Sequence, residues 1–315
     1  MLLVAGCGLS VELMVVYNQI AKNVTKTWLY IVISSAILFG VGWFLSYYYQ
    51  DQQILVLGAM VSFGSIVVSY WFSDKIVLGL SGARHIVEKK DFPELYRIAE
   101  NLAITAGLPT PKIYVINDPQ PNAFATGRDK DHAVIAVTAG LLEILDKQEL
   151  EGVMAHELSH IGNRDMLLSA VVAVIVGLIA FISDWFIRFS RFNRKDRDDN
   201  RRGNDIMFII GLIGMILAPI VATLIQLAVS RKREFLADAN AVLLTRYPEG
   251  LAGALEKISQ SPYLSRYAHQ ATANMYIADP FKADAPGGQR TPWLQRIFST
   301  HPPVGERIAA LTKMM

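Results

Sequence analysis

ELEGVMAHELSHIGNRDMLLSAVVAVIVGLIAFIS, residues 149–183, sets two patterns back to back. The first is a helical repeat in which Val153, Leu158 and Ile161 supply the apolar face around HELSH at 156–160. The second, Met166 to Ser183, is free of charge and approaches the roughly 20 residues a helix needs to cross a bilayer. A helix carrying H-E-x-x-H therefore runs directly into a membrane-type segment. Residues four apart share a helix face, so His156 and His160 point at one metal ion. Glu157 stands beside that pair, suited to take a proton from water and hand it to a leaving amine. H-E-x-x-H on a helix is the metalloprotease pattern, and it implies one zinc ion per chain. Two histidines on an ordinary amphipathic helix are the bland reading, which leaves the further ligand candidates below without explanation.

Working outward, the 315 residues are 52% hydrophobic and 18% charged, against about 45–50% and about 25% in soluble domains. Charge-free stretches account for the excess: Thr27–Gln50, Gln52–Ser73, Met166–Ser183 and Ile206–Ser230. Trp28, Tyr47, Tyr48, Tyr49 and Trp71 sit at the ends of the first two, where aromatic rings favour the interface. A run at 2–17, interrupted by Glu12, is a weaker candidate, either in-plane or a leader ahead of a start at Met14. No cleavable signal is expected, because MLLVAGCGLS lacks a basic region. The net charge of +2 and the lack of a basic face with interleaved aromatics argue against nucleic acid. The single Cys7 excludes an intramolecular disulfide and a multi-cysteine zinc site, so His, Asp and Glu must hold any metal.

Lys22 and Lys26 precede the first span, and Lys75, Arg84, Lys89 and Lys90 follow the second, with only Asp51 between. Both flanks are therefore expected in the cytoplasm. From about 81 to 165 the chain reads as α+β. A helix over 91–108 ends at Gly107, strands follow at 112–116, 122–126 and 133–137, and a short helix near 140–145 precedes the HELSH helix. Beyond the last apolar stretch comes RKREFLADANA, 231–241. If it is helical, Glu234 and Asp238 lie one turn apart. Glu234 would then complete a His2Glu site and Asp238 would steady a ligating histidine. A surface helix with paired charges beside Arg231, Lys232 and Arg233 fits the same residues.

HELSH, EFLADANA at 234–241 and STHPPVGERI at 299–308, with PNAFATGR at 121–128 and AVTAGLLEIL at 136–145, carry a resemblance. From about residue 14 the chain resembles the HtpX-type membrane zinc endopeptidases, related to the prenyl-protein protease clan. The resemblance implies zinc on His156, His160 and Glu234, Glu157 as general base, and Asp238 beside the ligating histidines. It implies that a substrate strand adds along Asn122, Ala123, Phe124 and Ala125, and that His301 approaches the cleft to stabilise an oxyanion. Glu306 and Arg307 are expected to be structural. His85, His132 and His269 have no ligand spacing.

The expected fold is α+β, a mainly helical membrane metalloprotease with about four transmembrane helices and a small sheet flanking the zinc helix. The expected divisions are an N-terminal segment 1–26, a first hairpin 27–73, a cytoplasmic part 74–165, a second hydrophobic hairpin 166–230 and a C-terminal part 231–315. The second hairpin would return Glu234 to the face of the histidines. Its connection, Arg188 to Asn204, holds seven Lys or Arg against three Asp, which opposes placing it outside. A hairpin that dips in and stays cytoplasmic closes the site equally well. The expected role is zinc-dependent cleavage of membrane proteins or unfolded polypeptides at the cytoplasmic face of a prokaryotic plasma membrane, in protein quality control. A membrane adaptor or holdase with structural zinc, or a narrow prenyl-protein processing protease, is the alternative.

Overall fold

The computed structural model describes residues 2–83, 88–193, 231–267, 269, 271–280 and 302–315. Helix α1, Leu2–Tyr49, runs without a break through Glu12 and residue 26. It contains no proline, and one charge on a helix surface costs too little to interrupt it. After a turn in which Asp51 accepts from the Gln53 amide at 2.8 Å, α2 spans Gln52–Trp71. Ile20–Tyr49 and Gln52–Trp71 are long and apolar enough to cross a membrane.

The α1–α2 contact is built for lipid rather than water. A methyl on Gly42 would stand 2.8 Å from the Cα of Gly58, so the backbones touch. Ser62 donates to the Ser35 carbonyl at 2.6 Å, and the Ser35 and Ser65 hydroxyls meet at 3.2 Å. Small residues and hydroxyls hold helices together where no hydrophobic drive exists. Leu57, Met60 and Phe63 face outward, and so large an apolar surface is satisfied by lipid.

Helix α3, Ser73–Leu80, leads to α4, Pro93–Ala106, which ends at Gly107 in the left-handed region. Strands β1 (Lys112–Ile116), β2 (Ala123–Thr126) and β3 (Val134–Thr138) form a mixed sheet in the order β1-β3-β2. β3 is parallel to β1 and antiparallel to β2. Ile135 and Val137 of β3 enter one core, while Val134 and Ala136 enter a second core shared with the membrane-type helices. Burial on both faces explains why VIAVT reads as a continuous apolar run without alternation.

Helix α5, Ala139–Ile144, precedes α6, Lys147–Asn163, which bears HELSH. Asp146 and Glu149 close a reciprocal capping box at the start of α6. The helix ends at Arg164 (φ 56°), and the chain bends by 84° into α7, Asp165–Asn193. Among the described residues two helices qualify as spans, or three if α6 with the start of α7 is one broken span. Helices α8 (Arg231–Thr245), α9 (Pro248–Ser259) and α10 (Val304–Thr312) complete the described fold. The expected fourth stretch, Ile206–Ser230, residues 194–204 of the basic connection, His85 and His301 lie outside the described residues.

Helix α6 is clamped on α9. A methyl on Gly152 would stand 2.7 Å from the Leu251 backbone nitrogen, which cannot swing aside. Gly152→Ala is therefore expected to destabilise the protein by about 1–3 kcal/mol, read as a lower thermal midpoint in detergent.

Candidate active site

Helix α6 places His156 and His160 one turn apart, with their Nε2 atoms 3.1 Å from each other. Helix α8 brings Glu234 across the gap, with Oε2 3.8 Å from His156 Nε2 and Oε1 3.8 Å from His160 Nε2. The three ligand atoms lie within 4.8 Å of one another. The far sides of the rings are fixed by carboxylates. His156 Nδ1 is 2.9 Å from Asp238 Oδ1, and His160 Nδ1 is 3.2 Å from Asp165 Oδ2. Carboxylates accept, so both Nδ1 atoms carry hydrogen and both Nε2 lone pairs face the same point.

Two lone pairs at 3.1 Å require a cation between them. Among the described residues, four carboxylates (Glu157, Asp165, Glu234 and Asp238) surround that point, with the guanidinium of Arg307 beside them. Burial opposes charge on His160, but Asp165, Glu234 and Glu157 outweigh it and push its pKa up to about 9. Burial and Arg307 hold His156 below the usual imidazole range. The proton that His160 attracts is the charge a metal ion would replace. Zinc–nitrogen bonds of about 2.0–2.1 Å at tetrahedral angles separate two ligand nitrogens by about 3.4 Å, close to the spacing found. The donor set, two imidazoles and a carboxylate, is one that zinc favours.

Glu157 is 1% exposed, and its Oε2 finds no hydrogen-bond partner among the described residues. The Ala125 amide of β2 faces the carboxylate and favours its charged form. Burial pushes the Glu157 carboxyl up to about 7, with His160 opposing that rise and Glu234 adding to it. A carboxylate near neutrality with an unused lone pair is equipped to move a proton.

Arg307 reaches the site from α10. It is fully buried and grips Asp238 through Nε at 2.9 Å and Nη2 at 2.6 Å. Nη1 donates to the Ile277 carbonyl at 3.1 Å and lies 3.9 Å from Glu234 Oε2. One side chain thus ties together the Asp238 that orients His156, the Glu234 carboxylate and the cleft wall. From sequence Arg307 reads only as structural, because its partner lies 69 residues away on another helix. Asp165 lies five residues beyond His160, at the bend into α7, a spacing that does not by itself mark it as a partner of that ring.

The cleft is small, about 30 Å³, and is lined by Ala125, Met166, Ser169 and the strap Asn274–Ile277 besides the histidines and acids. Of the four residues expected to receive a substrate strand, Ala125 alone lines it. The Ala123 carbonyl accepts from the Ile277 amide at 2.9 Å. Asn122 brackets Ala278, donating to its carbonyl at 2.9 Å and accepting from its amide at 3.2 Å. The backbone of Phe124 pairs within the sheet and its ring packs edge-on against Tyr276. His132 stays at the surface with Arg128 and Asp129, and His269 is exposed, neither near the metal-type cluster.

Residues 89–315 match the family model described as Peptidase family M48. The chain belongs to peptidase family M48. This M48 peptidase is 47% identical to the protease HtpX homolog of Dictyoglomus thermophilum over 303 residues, 95% of this chain and 94% of the relative. It is 44% identical to the homolog of Caldanaerobacter subterraneus, covering 95% and 97% of the two chains. Against the Streptococcus gordonii homolog the identity is 39%, covering 95% and 99%. Its fold is similar to the crystal structure of S. mikatae Ste24p, with a TM-score of 0.50 at 20% identity over 91% of this chain and 67% of that one. The M48 peptidase is a membrane metallopeptidase, mostly helical with a small mixed sheet.

Proposed function

We propose that the protein is a zinc-dependent endopeptidase that cleaves membrane proteins, or their cytoplasmic segments, at the cytoplasmic face of a prokaryotic plasma membrane. The observation that carries this reading is the convergence of His156, His160 and Glu234 beside the buried carboxylate of Glu157, whose Oε2 has no partner among the described residues. A purely structural site has no use for such a base, which favours an enzyme over an adaptor. When bound, zinc would polarise the scissile carbonyl and make water acidic enough to attack near neutral pH.

The chain's own residues do the rest. Asp238 and Asp165 hold the two imidazoles in the Nδ1–H tautomer and keep Nε2 available. Glu157 accepts a proton from the attacking water on its carboxylate and returns it to the leaving amine nitrogen. Burial against Ala125 keeps bulk water from competing for that carboxylate. Four spans, with Ile206–Ser230 as the fourth and 166–230 as a hairpin, would deliver Glu234 to the side on which α6 lies. A role in quality control follows from a cleft that sits where α6 bends into a membrane-type helix, within reach of misfolded membrane-protein loops.

The test uses full-length protein in detergent and unfolded casein as substrate. Cleavage is expected to stop on chelation and to return with zinc at one equivalent per chain. Cleavage that persists without metal would overturn the reading. Cysteine scanning of 188–204 with impermeant reagents, in a Cys7→Ser background, locates the connection.

A further inference from the structure

The strap opposite β2 is held unusually firmly for a loop. Its short turn, Ala273–Met275, starts from paired amide bonds to the His269 carbonyl, Thr272 and Ala273 each donating at 3.0 Å. Two residues later Ile277 is pinned at both ends of its peptide, its amide to Ala123 and its carbonyl to Arg307. Asn274 stands between these anchors and lines the cleft with Glu157 and the three metal-type ligands. Its side-chain Nδ2 is buried and has no hydrogen-bond partner among the described residues. An unpaired buried donor costs about 1–3 kcal/mol, so its persistence calls for a partner that the free protein lacks.

Glu157 and Asn274 both line the cleft, and each carries a buried polar atom, Oε2 and Nδ2, that has no hydrogen-bond partner among the described residues. Hydrolysis of an amide needs that combination: an acceptor for the proton of the attacking water and a donor for the carbonyl oxygen as it gains charge. We propose that Asn274 is a further catalytic residue, its amide donating to the scissile carbonyl oxygen in the transition state. The proposal rests on the peptidase reading above. No bond to Asn274 forms or breaks; the amide stabilises charge and keeps its own protons. Because the strap is tied to Arg307 and β2, the donor is fixed before substrate arrives, which is what makes such a bond effective.

The experiment measures kcat and KM for zinc-loaded full-length protein, Asn274→Ala and Asn274→Asp on a quenched-fluorescent peptide, with metal content and the thermal midpoint of the metal-free protein. Both variants are expected to lose about 10²-fold in kcat with KM within threefold and one zinc per chain retained. The metal-free midpoint of Asn274→Ala should match or exceed that of the wild type, because an unsatisfied donor has been removed. A residue with a merely structural role would lower it. A kcat within threefold of wild type in Asn274→Ala, or a loss confined to KM, overturns the role of Asn274 and leaves the peptidase reading standing. Absence of zinc-dependent cleavage by the wild type overturns both.

Discussion

Glu157→Gln should lower kcat by about 10²–10⁴-fold, the usual contribution of a general base, while the protein still binds one zinc per chain. Glutamine keeps the shape and the place beside Ala125 but cannot take up the proton of the attacking water. The same residue sets the expected pH profile. A base must be ionised, so kcat/KM should fall as pH drops through the pKa of Glu157. Burial pushes that pKa up to about 7, and a bound cation favours the carboxylate, so the acid limb belongs at or below that value. Steady-state rates of wild type and variant across the pH range, with metal analysis on the same samples, check both statements. An unchanged kcat in the variant would remove Glu157 from the chemistry.

Arg307→Met should be the most damaging change away from the metal ligands themselves. It leaves the Asp238 carboxylate buried without its guanidinium, and breaking a buried ion pair from one side costs about 3–5 kcal/mol. Zinc affinity should fall by about 10–100-fold, the usual effect of losing the groups that orient a ligand, because Asp238 would no longer hold His156. The pH dependence should invert. In the wild type burial raises the Asp238 pKa, but Arg307 and His156 outweigh it and bring it down to about 2. Against an unfolded value near ~3.9, the pair's contribution is complete above that pH and lost only as pH falls through about 2. Without Arg307 burial dominates and the folded state takes up a proton more readily than the unfolded chain. The variant should then gain stability as pH falls. Denaturation midpoints at several pH values, together with zinc titration, test this. Arg307→Lys should rescue little, because a lysine cannot form the two-pronged contact.

Much of this molecule is local in sequence, and that part was readable. The HELSH spacing puts two imidazoles on one face whatever surrounds them, and the charge-free stretches declare their solvent. The strands at 112–116, 123–126 and 134–138 lie within a residue of where β-branched runs and turn residues place them. The unbroken course of α1 through Glu12 was not readable, since a lone charge looks like an interruption only when the surroundings are unknown. Nor could spacing show that Arg307 locks Asp238, or that Ile277 and Ala278 cover Ala123 and Asn122. Those contacts join residues 69 to 156 positions apart, and no periodicity spans such a gap. Glu234 is intermediate: one helical turn links it to Asp238, but only the packing of α8 on α6 distinguishes a ligand from a surface charge.

Metal content per chain in the full-length wild type and two variants tests the central claim most directly, namely that His156, His160 and Glu234 hold one catalytic zinc. Wild type and Glu157→Gln are expected to carry one zinc each after reloading and washing, while Glu234→Ala carries almost none. Full zinc occupancy in Glu234→Ala with undiminished cleavage would contradict the account, because the third ligand would then have to come from elsewhere in the chain.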